Sequence, residues 1–250
     1  MGLGKGRTEH SGPRDMSRKG GRWGTTEEAK AWASRARRRD EADDLRREVL
    51  GPGDPTQLGD ELTLLWQERW PACRPIGHEL RDCAHDRWIR FHSLPKSKRY
   101  PEDDDEYGEL LHRHHTVIDD LRASTRSDEL VVITASWSGS ERSVDREPEV
   151  AALLPGEPWV DVLRETDEDG DEFWTHLFVA RVKPDAAGLD GLLRLVAVDQ
   201  TTGVIITEPG LRWLYHPYDG GADVICSDAD QRDDLRGAHP AWLSPNPSGL

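Results

Sequence analysis

Arg87-Trp88-Ile89-Arg90-Phe91-His92-Ser93-Leu94-Pro95-Lys96-Ser97-Lys98-Arg99-Tyr100 is the stretch on which the reading of this chain turns. From Arg87 to Leu94 apolar and polar residues alternate, the period of a strand, which sends Ile89 and Phe91 to one face and Trp88, Arg90 and His92 to the other. Pro95 has no N–H to donate and ends the strand. Beyond it stand Lys96, Lys98 and Arg99, with the hydroxyls of Ser93 and Ser97, a composition suited to an anion. The acidic run Glu102-Asp103-Asp104-Asp105-Glu106 follows at once. A second reading therefore stands beside the first: a half-buried strand leading into a solvated loop whose cations are neutralised by that run.

Outward from this stretch the elements alternate between the two periods. Leu62, Leu65, Trp66 and Trp70 have helical spacing up to Pro71, and Cys73 to Asp86 reads as a loop. A helix is predicted to begin near Asp103 with Glu106 as capping partner, burying Tyr107, Leu110, Leu111, His114, Ile118 and Leu121. Leu130 to Ala135 is an unbroken β-branched run, the pattern of a central strand, and Ser136 to Glu149 reads as a polar loop. Trp159–Arg164 and Phe173–Val182 read as a hairpin over the acidic tip Asp167–Asp171, whose glycine stands at the wrong position for a calcium loop. Leu189, Leu192, Leu193 and Val196 predict a helix. Val204–Ile206, Leu211–His216 and Ala222–Cys226 predict strands, the last two joined through Asp219-Gly220-Gly221, whose glycines supply positive φ. Ser227 is placed to cap a last helix to about Arg236, after which Trp242-Leu243 packs back on the body. The fold class expected is α+β: a single mixed, mainly antiparallel sheet with flanking helices, preceded by a basic N-terminal arm expected to be disordered over residues 1–24 and helical after them.

That arm, residues 1–55, is rich in Gly and Arg, with a helix expected near 26–50, and residues 56–250 form the acidic domain. Residues 1–50 hold 13 Lys and Arg against 9 Asp and Glu, or +4; with the whole chain at -15, residues 51–250 carry -19. Lys19, Arg22, Arg35, Arg37, Arg38 and Arg39 are the candidates for a weak nucleic-acid contact through the arm. The acidic body argues against nucleic acid or an anionic membrane as its main partner and for a protein partner, a basic one by preference. No apolar run approaches the ~18 residues of a spanning helix, and no signal-peptide core is present, so the expected compartment is the cytoplasm.

Cys73, Cys83 and Cys226 are odd in number and contain no C-x-x-C, which predicts reduced thiols. Cys73, His78, Cys83 and His85 match no paired-ligand spacing, so neither a metal nor another cofactor is expected. In His112-Arg113-His114-His115 only His114 lies on the apolar stripe, and it reads as a core histidine with one backbone or carboxylate partner. His115 flanks that stripe and is the member expected to face a cleft.

Trp66–Trp70, Pro75-Ile76-Gly77-His78, Trp88–Tyr100, Glu106-Tyr107, Arg113-His114, Trp213–Val224 and Trp242-Leu243-Ser244 together resemble a bacterial domain-of-unknown-function family of actinomycete type, over about residues 60–250. The Tyr218-Asp219-Gly220-Gly221-x-Asp223-Val224-Ile225 segment and the terminal Trp242-Leu243-Ser244 are the specific parts. The resemblance implies a boundary and no activity.

Three functions stay open. The first is a non-enzymatic, immunity-like or regulatory protein that binds a basic partner, favoured by the -19 body, by eight of ten tryptophans beyond residue 60, and by the lack of a catalytic motif. The second is an enzyme or anion-binding protein, with Arg90, His92, Lys96, Lys98, Arg99 and Tyr215 as ligand-binding candidates and His92, His216, Asp219 and Asp223 as acid–base candidates. The third is nucleic-acid contact through the arm.

Overall fold

The strands of the computed structural model, which describes residues 57–167 and 170–244, are β1 (Trp88–His92), β2 (Leu130–Ser138), β3 (Glu157–Thr166), β4 (Glu172–Val182), β5 (Ile205–Thr207), β6 (Leu214–Tyr218) and β7 (Gly221–Ile225). They form one seven-stranded antiparallel sheet in the order β1-β7-β6-β5-β2-β4-β3. The β-branched run that begins β2 has thus become an inner strand, between β5 and β4, as its unbroken hydrophobicity requires. The α-helices among the described residues are α1 (Gln57–Arg69), α2 (Leu80–Cys83), α3 (Asp104–Thr125), α4 (Pro148–Leu153), α5 (Ala187–Ala197) and α6 (Ala229–Ala238). The arm's helix and its six basic candidates lie outside the described residues.

By contacts the chain divides into two units. One comprises Asp60–Thr134, Glu147–Glu157 and residues from Val179 on; the other, among the described residues, comprises 57–59, Ala135–Arg146 and Pro158–Phe178. In the first unit Phe91 and Ile89 of β1, Val117, Ile118 and Leu121 of α3, Leu189, Leu192, Leu193 and Val196 of α5, and Tyr215, Ala222 and Val224 of the last hairpin share one apolar core, with Trp242 and Leu243 packed against it. Helix α3 starts as its sequence dictates: Asp103 accepts a hydrogen bond from the Glu106 N–H at 2.9 Å, and the Glu106 carboxylate accepts from the Glu102 N–H at 2.7 Å. Val117 and Arg113 are also buried on this helix, although neither lay on the predicted stripe.

Several local expectations change. The predicted loop Ser136–Glu149 begins as the last residues of β2 and ends in α4, which opens on Pro148 at a position where a missing N–H costs nothing. The last helix is capped by Asp228, whose carboxylate accepts from the Gln231 N–H at 2.8 Å, rather than by Ser227. In the final turn only Gly220 has positive φ, at 99°. Gly221 is instead a strand residue, where a Cβ would strike the Phe91 carbonyl and stand 2.7 Å from the Tyr218 hydroxyl. The expectation of three reduced thiols is also corrected. The short helical turns between residues 77 and 83 double the chain back, so that Cys73 and Cys83 form a disulfide pair with Cα atoms 5.6 Å apart. Cys226 alone is free, buried, and its thiol pKa is pushed up to about 12 by burial.

Candidate functional site

The register of the last hairpin fixes the centre of the site. Arg90 on β1 stands opposite Asp223 on β7, and Asp223 stands opposite His216 on β6, so the three side chains share one face of the sheet. Asp223 is buried, and its charge is fully answered. The Arg90 guanidinium donates to it twice, Nε to Oδ1 at 2.8 Å and Nη2 to Oδ2 at 2.9 Å, and the Trp88 indole N–H adds a third bond at 2.9 Å. The rings of Trp88 and Tyr218 lie 5.3 and 5.2 Å from the guanidinium carbon and complete its surroundings.

His216 is enclosed as well. Its Nδ1–H donates to the Val204 carbonyl at 2.7 Å, and the backbone of Gly77 rests on the ring so closely that a Cβ there would fall within the imidazole. Burial lowers the His216 pKa, with Arg90 and Arg81 acting in the same direction and the Val204 carbonyl and Asp223 opposing them, which leaves a neutral imidazole. The Tyr218 phenol beside it is raised by burial and by Asp223.

The loop cations are spoken for one by one. Lys98 donates to both oxygens of Glu106 at 2.6 Å and lies 3.2 Å from Glu102. Arg99 and the Tyr100 hydroxyl both donate to Asp219 Oδ2, at 2.7 and 2.9 Å. Lys96 is the exception: it is exposed, and it and Ser97 take left-handed backbone conformations, φ 58° and 57°, that a residue with a Cβ adopts at a cost.

On the opposite face the tyrosine of the motif meets the helix. Tyr215 Oη lies 2.5 Å from His114 Nδ1, and His114 Nε2 lies 3.1 Å from Ser93 Oγ. One ring proton satisfies both contacts, with the tyrosine donating to Nδ1 and Nε2–H donating to the serine. Burial, and secondarily His115, lowers the His114 pKa to about 3. His114 is thus a core histidine, held by two hydroxyls instead of a backbone or carboxylate group. His115 pairs with Asp190 at 2.6 Å, joining α3 to α5. A cavity of about 10 Å³, room for about one water, is lined here by Phe91, His92, Ser93, Arg113, His114 and Tyr215 among others. Arg113 donates to the His92 carbonyl at 3.1 Å and to Glu109 at 2.6 Å. The His92 Nε2 atom is itself buried without a hydrogen-bond partner, and burial, Arg90 and Arg113 lower its pKa against the Gly220 carbonyl.

The second unit holds a relay that no sequence motif marked. Asp161 Oδ1 lies 2.6 Å from His176 Nδ1, and His176 Nε2 lies 2.8 Å from Ser138 Oγ. The order of groups is that of a nucleophile, base and orienting acid. Its setting is not. Ser138 and His176 have no exposed surface, and Ser138 Oγ also donates to the Ser140 carbonyl at 2.8 Å and accepts from the Ser140 N–H at 3.1 Å. The relay therefore ties the end of β2 to the middles of β4 and β3.

Arg90, Asp223 and His216 thus converge, as do Arg99 with Asp219 and Tyr215 with Ser93 and His114, while Lys96 and Lys98 stand apart from the buried cluster. Among the described residues no group of three or more His, Cys, Asp or Glu side chains is arranged to hold a metal ion. No helix among them is long and apolar enough to cross a membrane. Fold and cluster together define an antiparallel α+β domain whose central charges are matched internally. Residues 76–247 match the domain of unknown function DUF3885, and the chain belongs to that family. Neither the curated proteins nor the solved structures compared with it contain a match.

Proposed function

We propose that this chain is a non-enzymatic partner-binding protein of a bacterial family, cytoplasmic in setting, whose acidic body takes a basic protein partner. The observation that carries this reading is the pairing of Arg90 with Asp223, Lys98 with Glu106 and Arg99 with Asp219. The cations that would hold an anionic substrate are already held, and the acid–base candidates His216 and Asp223 are buried and bonded. What residues 51–250 present beyond those pairs is a net charge of -19, which favours association with a cationic surface.

The test is affinity capture with the full chain, followed by titration of the purified captured protein. A stoichiometric complex with a basic protein, weakening steeply with salt, is expected. Turnover or a tight small-anion complex in the absence of any protein partner would sink the reading. Exposed Lys96, in its left-handed turn, and the unpartnered His92 Nε2 favour an anion-binding alternative. In that case phosphate or a carboxylate should shift the melting temperature of the full chain, and Lys96→Ala should abolish the shift.

A further inference from the structure

Two observations in the first unit meet at one short segment. Residues 76–84 lie over the polar face of the last hairpin: Gly77 rests on the His216 ring, Ile76, Leu80 and Ala84 are buried, and α2 contacts β7. No regular ladder holds this segment, which consists of a 3-10 turn and the single turn of α2. Its far end is Cys83, and Cys83 is tied to Cys73. Cys73 stands on firm ground. Its carbonyl accepts the Trp66 indole N–H at 2.8 Å, its N–H donates to the Trp70 carbonyl at 2.9 Å, and Trp70 is itself anchored to the Leu211 carbonyl at 2.9 Å. Both cysteines are half-buried, within reach of a small thiol reagent, whereas Cys226 is sealed in the core.

We propose that Cys73 and Cys83 form a reversible redox latch that fastens the 76–84 segment over the Arg90–Asp223–His216 cluster. Oxidised, the latch holds the segment closed on His216. Reduced, the segment keeps its buried side chains and the Arg74–Glu79 ion pair but loses its covalent tie, and it opens to bring the imidazole of His216 and the Tyr218 phenol to solvent. The exchange balances with a low-molecular-weight disulfide such as oxidised glutathione as the two-electron acceptor. One cysteine thiolate attacks it and releases a first thiolate; the second cysteine, deprotonated, then attacks the mixed disulfide and releases the other, leaving two reduced thiols in solution. This inference stands apart from the partner-binding reading, since its readout is access to a side chain and not association.

The experiment compares the full chain equilibrated with oxidised and with reduced glutathione, using diethylpyrocarbonate as the imidazole probe and mass spectrometry to follow each histidine. His216 should react at least tenfold faster in the reduced form, while His114, buried on the opposite face, should keep one slow rate. Cys73→Ser, and independently Cys83→Ser, should show the fast His216 rate whichever glutathione is present. Thiol counting after denaturation should find three free thiols in excess reduced glutathione and one in excess oxidised glutathione. Equal His216 rates in the two forms, His114 accelerating in step with His216, or a thiol count that glutathione cannot change would each overturn the latch.

Discussion

Asp223 receives three hydrogen bonds from β1, two from Arg90 and one from Trp88, so a single carboxylate fastens the edge strand to the last hairpin. The contact makes Arg90 a structural residue first. Arg90→Ala would leave Asp223 as a buried, uncompensated charge and should cost about 3–5 kcal/mol in urea unfolding. Replacing both, as Arg90→Met with Asp223→Leu, should cost much less than the sum of the single changes. If Arg90→Ala is within 1 kcal/mol of wild type, roughly the worth of an exposed pair, the charge pair is not holding the strand.

Gly77 has no room for a side chain because His216 occupies it. Gly77→Ala should destabilise by roughly 1–3 kcal/mol, as overpacking does. A double-mutant cycle with His216→Ala should recover most of that loss, because the second change removes the obstructing ring. Additive losses would show that some other contact makes the position intolerant.

Phe91 and His92 are neighbours on opposite faces of β1, and their replacements should separate. Phe91 is buried in the main core, and Phe91→Ala should cost about 3–5 kcal/mol. His92→Ala should cost under about 1 kcal/mol, since Nε2 has no partner and the Gly220 carbonyl that bonds the ring keeps the Ser93 N–H. Equal losses by denaturant unfolding would make the His92 face a second packing surface.

Stability should fall on acidification through a window set by His114. Its folded pKa of about 3 lies below its ordinary value, so between roughly pH 6.5 and 3 the unfolded chain binds a proton that the folded chain refuses. The stabilisation from a neutral His114 is complete above pH 6.5 and declines as pH falls toward 3; the lowered pKa values of His216 and His92 act in the same direction. Unfolding free energies of wild type and His114→Gln, measured from pH 7 to 4, should differ in slope, with the variant flatter. Parallel slopes would place the proton elsewhere.

The elements were legible in the sequence where a local signal is strong: β2 by the unbroken run Leu130–Ala135, the last hairpin by Asp219-Gly220, and helix α3 by Asp103 and Glu106. The site was legible only as composition. Arg90, Asp223 and His216 were each singled out, but opposite charges in the sequence do not say which pairs with which, and it took the β1–β7 register to spend Asp223 on Arg90 and leave Asp219 for Arg99. Arg113 was missed because a buried arginine looks like any exposed one until its carboxylate and carbonyl acceptors are seen. The Cys73–Cys83 pairing was hidden for a related reason: its spacing is dictated by two helical turns too short to show a period. The Ser138–His176–Asp161 relay draws on three separate strands, and no local pattern records that.

The ladder between β1 and β7 joins positions 133 residues apart in the chain. During synthesis the strand that carries Arg90 emerges early and must stay unpaired until the last hairpin has left the ribosome, because no nearer strand supplies its hydrogen bonds. A chain cut short before residue 221 can own every residue of the central motif and still have nowhere to put it. The site is in this sense a late event of synthesis, formed only once β7 has followed β1 out of the ribosome.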